Sequence, residues 1–273
     1  MSARLRRDQT ASSAGSPELR RRLGFRDGDK GTHSSRTLML AEIEELFEAT
    51  QADAVISDYR RAIVEDNVLG KRTHTTREHT TRKLKALFGL DPEIPIFRAL
   101  RRFWQVDEAG RPLLAMLCGF ARDPLLRLTA DAVLEADVGT TVVPETVEET
   151  LRRNAPGRFS ETNEIAIARR VLSSWTQSGH LEGQQTKMRK RAVATPGSAA
   201  YALFLAHLEG RRAQRLFDSV WSRILDAPTG QLVELAKAAS QRGLIDYRGA
   251  GGVIEVRFPG LLTSEEEELL DEQ

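Results

Sequence analysis

The sequence predicts a mostly α-helical protein, an N-terminal helical bundle followed by winged-helix-like regions with short β-hairpins. Three observations carry this. Apolar residues recur every three to four positions over most of the chain between residues 32 and 242. Prolines and glycines fall mainly at the edges of those stretches, where they start or stop helices. Two places, 180–195 and 244–258, read instead as strand pairs around polar or glycine-rich turns.

Taken in order, residues 1–31 are rich in Arg, Ser, Gly and Asp and read as a flexible basic arm. A first helix is expected from a cap among Thr32–Ser35 to Thr50, with Leu40, Ile43, Leu46 and Phe47 on its apolar face. A second runs from Gln51 to Asp66 on Val55, Tyr59 and Ile63, and Gly70 punctuates the break that follows. A third spans Thr75 to Phe88 and stops at Gly89, with Arg77, Arg82, Lys83 and Lys85 along it. Helices at 94–105, 112–122 and 123–136 follow, Pro112 and Pro124 sitting in first turns and Asp123 as an N-cap. A short helix at 145–153 leads to the loop Asn154-Ala155-Pro156-Gly157, the expected domain boundary. The predicted units are thus 1–31, a helical bundle at 32–155, a winged-helix-like domain at 156–260 and an acidic tail at 261–273. Within the third unit, a helix from Glu161 to Ser178 precedes strands at 180–182 and 187–195. Further helices are expected at 198–209, 211–226 and 230–242. A hairpin 244–248/253–258 then turns at Gly249-Ala250-Gly251-Gly252.

The net charge of +1 conceals segregation. Residues 71–102 carry nine Lys/Arg against three acids and 151–215 carry twelve against four, whereas the last ten residues hold six acids. The single cysteine, Cys118, excludes an internal disulfide and reads as core filler. No apolar stretch approaches the ~20 residues of a spanning helix, and no secretory signal is visible, so a cytoplasmic protein without a membrane partner is expected.

Searching for chemistry excludes more than it finds. There is no phosphate-binding glycine loop, no dinucleotide fingerprint and no HExxH pair. His74 and His79 lie about 140° apart on a helix, too far round to share a metal. No catalytic residue, metal or cofactor is therefore expected. What stands out is the helix after Ser160. Ile165, Ala168, Leu172 and Trp175 define a buried stripe. Asn163, Arg170, Ser174 and Gln177 then share the opposite face, where their side chains could bond base edges or phosphates. The basic strand Lys187-Met188-Arg189-Lys190-Arg191 follows at the position of a wing, its four cations seeking an anion. In the bundle, Lys71, Arg72, Arg77 and Arg82, continuing to Lys85, form a second basic track.

At Asn67-Val68-Leu69-Gly70-Lys71-Arg72-Thr73 the sequence resembles the BrxA family of bacteriophage exclusion (BREX) defence systems. The Ser35–Leu40 segment (Ser-x-Thr-Leu-Met-Leu) and the stretch from Phe159 to Gly-His-Leu at 179–181 extend the likeness over about residues 32–258. The resemblance implies a helical domain similar to a small transcription-antitermination factor joined to a winged helix. It also implies a non-catalytic role binding double-stranded DNA, alongside other proteins of the same defence operon. Two alternatives share the fold: a protein–protein adaptor in a multi-subunit defence complex, and a free-standing winged-helix transcriptional regulator.

Overall fold

The structure, a computed structural model, describes residues 16–28, 30–251 and 253–272. Ser16 caps helix α1 (Pro17–Leu23), its hydroxyl accepting from the Leu19 N–H at 3.2 Å, and Gly24 ends the helix at φ 107°. Leu23 and Phe25 are buried. The expected flexible arm is therefore ordered from Ser16, where a cap and two apolar anchors coincide; residues 1–15 lie outside the described residues. The first long helix, expected from Thr32–Ser35, starts later. Thr32–Ser34 form one 3-10 turn, residues 35–39 are non-helical with Met39 at φ 57°, and α2 runs Leu40–Ala49.

Helices α3 (Ile56–Val64), α4 (His74–Phe88), α5 (Pro95–Val106) and α6 (Arg111–Arg122) follow the apolar periodicity closely. The expected helix at 123–136 is two short ones, α7 (Pro124–Thr129) and α8 (Asp131–Leu134). After them come α9 (Pro144–Asn154), α10 (Glu161–Gln177) and α11 (Pro196–Leu208). The expected helix at 211–226 shrinks to a 3-10 turn and α12 (Val220–Ile224), and α13 (Thr229–Gln241) completes the set before the hairpin. The acidic tail is not solvated. Thr263 and Glu266 cap one another's backbone at the start of α14 (Ser264–Asp271), Glu266 pairs with Arg98 at 2.5 Å, and Leu270 is buried. Among the described residues no helix is long and apolar enough to cross a membrane.

Helix α11 is the centre. It is buried along its length from Gly197 to Ala206, as expected of a helix that is apolar all round. It packs against α5, α6, α12 and α13. Tyr201 Oη donates to the Ile96 carbonyl at 3.0 Å, and Asp107 Oδ2 accepts from Thr195 Oγ1 at 2.5 Å and Ser198 N at 3.2 Å. A residue following α5 thus caps α11, and one core runs across the 154–157 loop.

Arginines close the helix C-termini, whose last carbonyls have no intrahelical donor. Arg101 Nη2 reaches the Phe47, Thr50 and Gln51 carbonyls at the end of α2 (2.8–3.2 Å). Arg122 reaches Lys85 and Ala86 at the end of α4, and Arg127 reaches Phe120 and Ala121 at the end of α6. Cys118 lies wholly inside this core, where burial pushes its thiol up to about 11.

Two winged-helix-like units emerge. Strands β1 (Leu181–Glu182) and β2 (Met188–Arg189) pair antiparallel with Leu181 opposite Arg189. Residues 139–142 add a third strand: Gly139 N donates to the Arg189 carbonyl and Val142 N to the Lys187 carbonyl, both at 2.8 Å. The order is therefore helix, strand, α9, α10, β1, β2. The second unit follows α12 and α13 with β3 (Asp246–Ala250) and β4 (Val253–Arg257), joined through five residue pairs. Ile245, Val256 and Phe258 turn inward as expected, while Tyr247 and Ile254 are half-buried.

Two buried histidines tie stability to pH. His180 stands edge-on to Trp175, its Nε2–H donating to the Ile224 carbonyl at 2.8 Å; burial lowers it to about 4. Burial, with Arg212 adding, lowers His207 to about 3. Both folded values lie below the ordinary ~6.5 of the unfolded chain, so the unfolded state binds more protons once the pH drops below that value. Urea-unfolding midpoints should therefore fall as pH is lowered from about 6.5 to about 4, and His180→Gln should flatten the slope over that window.

Candidate nucleic-acid interface

Helix α10 is turned relative to the sequence expectation. Of the four residues assigned to its exposed face, only Asn163 is exposed. Ser174 is wholly buried, Arg170 Nη1 donates to the Ser34 carbonyl at 2.7 Å, and Gln177 Oε1 accepts from Leu40 N at 3.0 Å. Ile165, assigned to the core, is half-exposed, while Ile167, Ala168, Val171, Leu172 and Trp175 are buried. At 100° per residue, the solvent face centres on Thr162, Ala166, Arg169 and Ser173, roughly 80° from the expected one. The cause is the non-helical segment 32–39. It lies across α10, and its unpaired backbone groups take up the polar side chains expected to face solvent.

That segment is held by a bond chain that sequence reasoning missed. Asp123 Oδ2 accepts from His33 Nδ1–H at 2.9 Å and from the His33 backbone N–H at 3.0 Å. Its Oδ1 caps α7 at Leu125 N, 2.9 Å. His33 Nε2 contacts Ser174 Oγ at 2.8 Å, which also accepts from Leu38 N at 2.9 Å and donates to the Arg170 carbonyl at 2.8 Å. All these bonds are satisfied at once when His33 carries both ring protons against a carboxylate. Burial would raise Asp123, but His33 and the backbone donors outweigh it and hold it at about 2. The order Asp–His–Ser is that of a hydrolytic relay. Here, however, all three side chains are inaccessible and the Ser174 hydroxyl is fully engaged, so it offers no nucleophile. The trio is a latch.

The expected wing is also partly withdrawn. Arg189 is buried, its Nη atoms bidentate on Asp226 at 2.8 and 2.9 Å and its Nε on the Val133 carbonyl at the end of α8. Lys187 Nζ closes its own turn on the Gly183 carbonyl at 2.6 Å, and Lys190 pairs with Glu182 at 3.4 Å. Arg191 is exposed and makes no ion pair among the described residues. In the bundle track, Lys71 pairs with Glu42 at 3.2 Å, and Arg77 caps α3 through the Val64 carbonyl at 3.0 Å, whereas Arg72 and Arg82 are exposed.

What the fold does bring together is a different set. Lys83 on α4 is half-buried and held below the usual lysine range by burial, then by Arg36, with Arg82 and Arg26 acting the same way and Asp123 opposing. Arg36 lies two residues beyond Ser34, whose carbonyl holds Arg170, and Arg169 occupies the solvent face of α10 beside it. Arg36, Arg82, Lys83 and Arg169 make no ion pair among the described residues. Arg36 and Arg169 carried no periodic signal of their own; their proximity depends on the latch, which spans 141 positions in sequence. Compared with known proteins, the chain matches no family model and no curated sequence.

The two kinds of polar residue on α10 and β2 should separate in unfolding experiments. Ser174→Ala strands the Leu38 N–H and the His33 ring, and should cost about 1–3 kcal/mol. Arg189→Ala breaks a buried pair and should cost about 3–5 kcal/mol. Arg169→Ala, on the solvent face, should shift stability by less than about 0.5 kcal/mol. Denaturant midpoints of the three variants check this, and equal effects for Ser174 and Arg169 would contradict the observed rotation of α10.

Proposed function

We propose that the protein is a non-catalytic, cytoplasmic component that binds double-stranded DNA, with the solvent face of α10 toward the duplex. On this reading Arg36, Arg82, Lys83 and Arg169 hold the phosphates. The observation that carries the reading is the convergence of these four cations, from three separated chain segments, with no carboxylate to neutralise them. A cluster of that kind carries self-repulsion that a phosphate backbone relieves. Thr162 and Ser173 on the same face supply hydroxyls for phosphate or base contacts. Lys190 and Arg191 extend the charge toward the turn between β1 and β2. The resemblance to the BrxA family supports a role in a phage-defence system, with proteins of the same operon as further partners.

One observation favours the adaptor reading for the second unit alone. Its cations are neutralised locally: Arg248 by Asp246 at 3.1 Å, Arg257 by Glu255 at 2.6 Å, and Lys237 by Glu234 at 2.8 Å. Val253 at the hairpin end stays exposed. This wing suits a protein surface better than a phosphate backbone.

Fluorescence anisotropy with a labelled duplex at two salt concentrations tests the proposal. Changing Arg36, Arg82, Lys83 and Arg169 together to Gln should weaken binding to every duplex alike. It should also reduce the slope of log K against log salt by about 0.9 for each phosphate no longer neutralised. An unaltered slope would remove the interface from this surface, and no binding even at low salt would favour the adaptor.

A further inference from the structure

A cavity of about 200 Å³ opens between the loop after α2, helix α3 and one side of α5, lined by Ala54, Tyr59, Phe97, Arg98, Arg101 and Gln105 among others. Its polar atoms are unevenly used. Tyr59 is 1% exposed, its ring edge-on to Phe97 at 5.6 Å, yet Tyr59 Oη has no hydrogen-bond partner of good geometry. Burial pushes the Tyr59 hydroxyl up, and the neighbouring Arg101 guanidinium opposes that shift, so the two groups share one field. Arg101, 8% exposed and stacked on Phe47 at 4.3 Å, makes every one of its bonds through Nη2, leaving the buried Nε without an acceptor. No carboxylate pairs with Arg101 among the described residues. Arg122 shows how unusual this is: also buried, it bonds a carbonyl through each of its three nitrogens. A buried hydroxyl and a buried guanidinium edge left open on one cavity are costly unless something accepts from them.

We propose that this cavity is a binding site for a small organic monocarboxylate, its apolar body against Phe97 and Ala54 and its carboxylate accepting from Tyr59 Oη and Arg101 Nε. The charge follows from Arg101, which lacks a counter-ion; the single carboxylate follows from the count of two open donors. A phosphate would want more. The neighbouring Arg98 is committed to the Leu261 carbonyl and Glu266, and Arg102 to the Pro259 carbonyl at 2.8 Å. Size fits a ring or short branched chain, since a cavity of roughly 150 Å³ accommodates benzene. The site lies apart from the proposed DNA surface and does not depend on it.

The full chain should be titrated by calorimetry with benzoate, phenylacetate and hexanoate, and with benzyl alcohol and inorganic phosphate as controls. At least one carboxylate should bind saturably and raise the melting temperature, while benzyl alcohol and phosphate should not. Tyr59→Phe keeps the ring and removes only an unbonded hydroxyl, so it should fold as stably as the parent. It should weaken carboxylate binding roughly tenfold or more, the usual effect of losing a bond to a charged group. The proposal is overturned if no carboxylate binds, if Tyr59→Phe binds as well as the parent, or if phosphate alone protects. It is equally overturned if Tyr59→Phe loses stability without ligand, or if crystals grown with benzoate show only water bridging Tyr59 and Arg101.

Discussion

A protein assembled from helices of four to seventeen residues has many helix ends, and each C-terminal end leaves carbonyls that no intrahelical N–H reaches. Where those ends are packed inside, water cannot satisfy them, and a donor must come from elsewhere in the chain. Here the donor is repeatedly arginine. Arg77, Arg101, Arg122, Arg127 and Arg189 each place a planar fork on the last carbonyls of a neighbouring helix. The guanidinium suits the task because its five donors are fixed in one plane and its positive charge complements the negative end of the helix dipole. His180 performs the same service for α12 through the Ile224 carbonyl. Tertiary packing of short helices in this chain therefore depends on cations that bind backbone.

That constraint divides the basic residues into two populations. One population is consumed by the fold and contributes little to the exterior field, because its charge is buried against carbonyls or, for Arg189, against Asp226. The other stands without local neutralisation, and it is concentrated where α4, residues 32–39 and α10 meet. Local charge density along the sequence conflates the two. The run at 187–191 looks like the strongest electropositive segment, yet its central arginine is among the most buried polar residues in the molecule. A weaker run, with Arg82 and Lys83 separated from Arg36 by more than forty residues, retains its charge at the surface.

The secondary structure was legible where the apolar period was uninterrupted. Helices α4, α5, α6, α10 and α13 begin and end within a residue or two of their predicted limits, because caps, first-turn prolines and terminating glycines act locally. What could not be read was which polar face of a helix is covered. In α10 the apolar positions allow the helix to be turned either way, since Ser174 and Gln177 are as compatible with bonding a crossing strand as with facing water. Only the segment 32–39 decides, and its own sequence reads as helix. Ser35 to Leu40 lacks a proline or glycine to break it; the latch at His33 and the left-handed Met39 do so instead. The acidic tail misled for a similar reason: four consecutive glutamates suggest solvation, but Thr263 and Arg98 give Glu266 two partners and Leu270 an anchor.

The latch connects these observations to the proposed surface. Asp123 does three things with one carboxylate: it caps α7, fixes the His33 ring and holds the backbone of the same histidine. Through His33 and Ser174 it sets the path of residues 32–39 over α10, and that path sets where Arg36 stands relative to Lys83 and where Arg170 is tethered. The buried carboxylate is also the one acid that partly offsets Lys83. A single interior negative charge thus positions a group of surface cations while only weakly neutralising them, which leaves their field directed outward. The geometry of the surface is consequently as rigid as the core beneath it, and a ligand that binds there meets cations already in place.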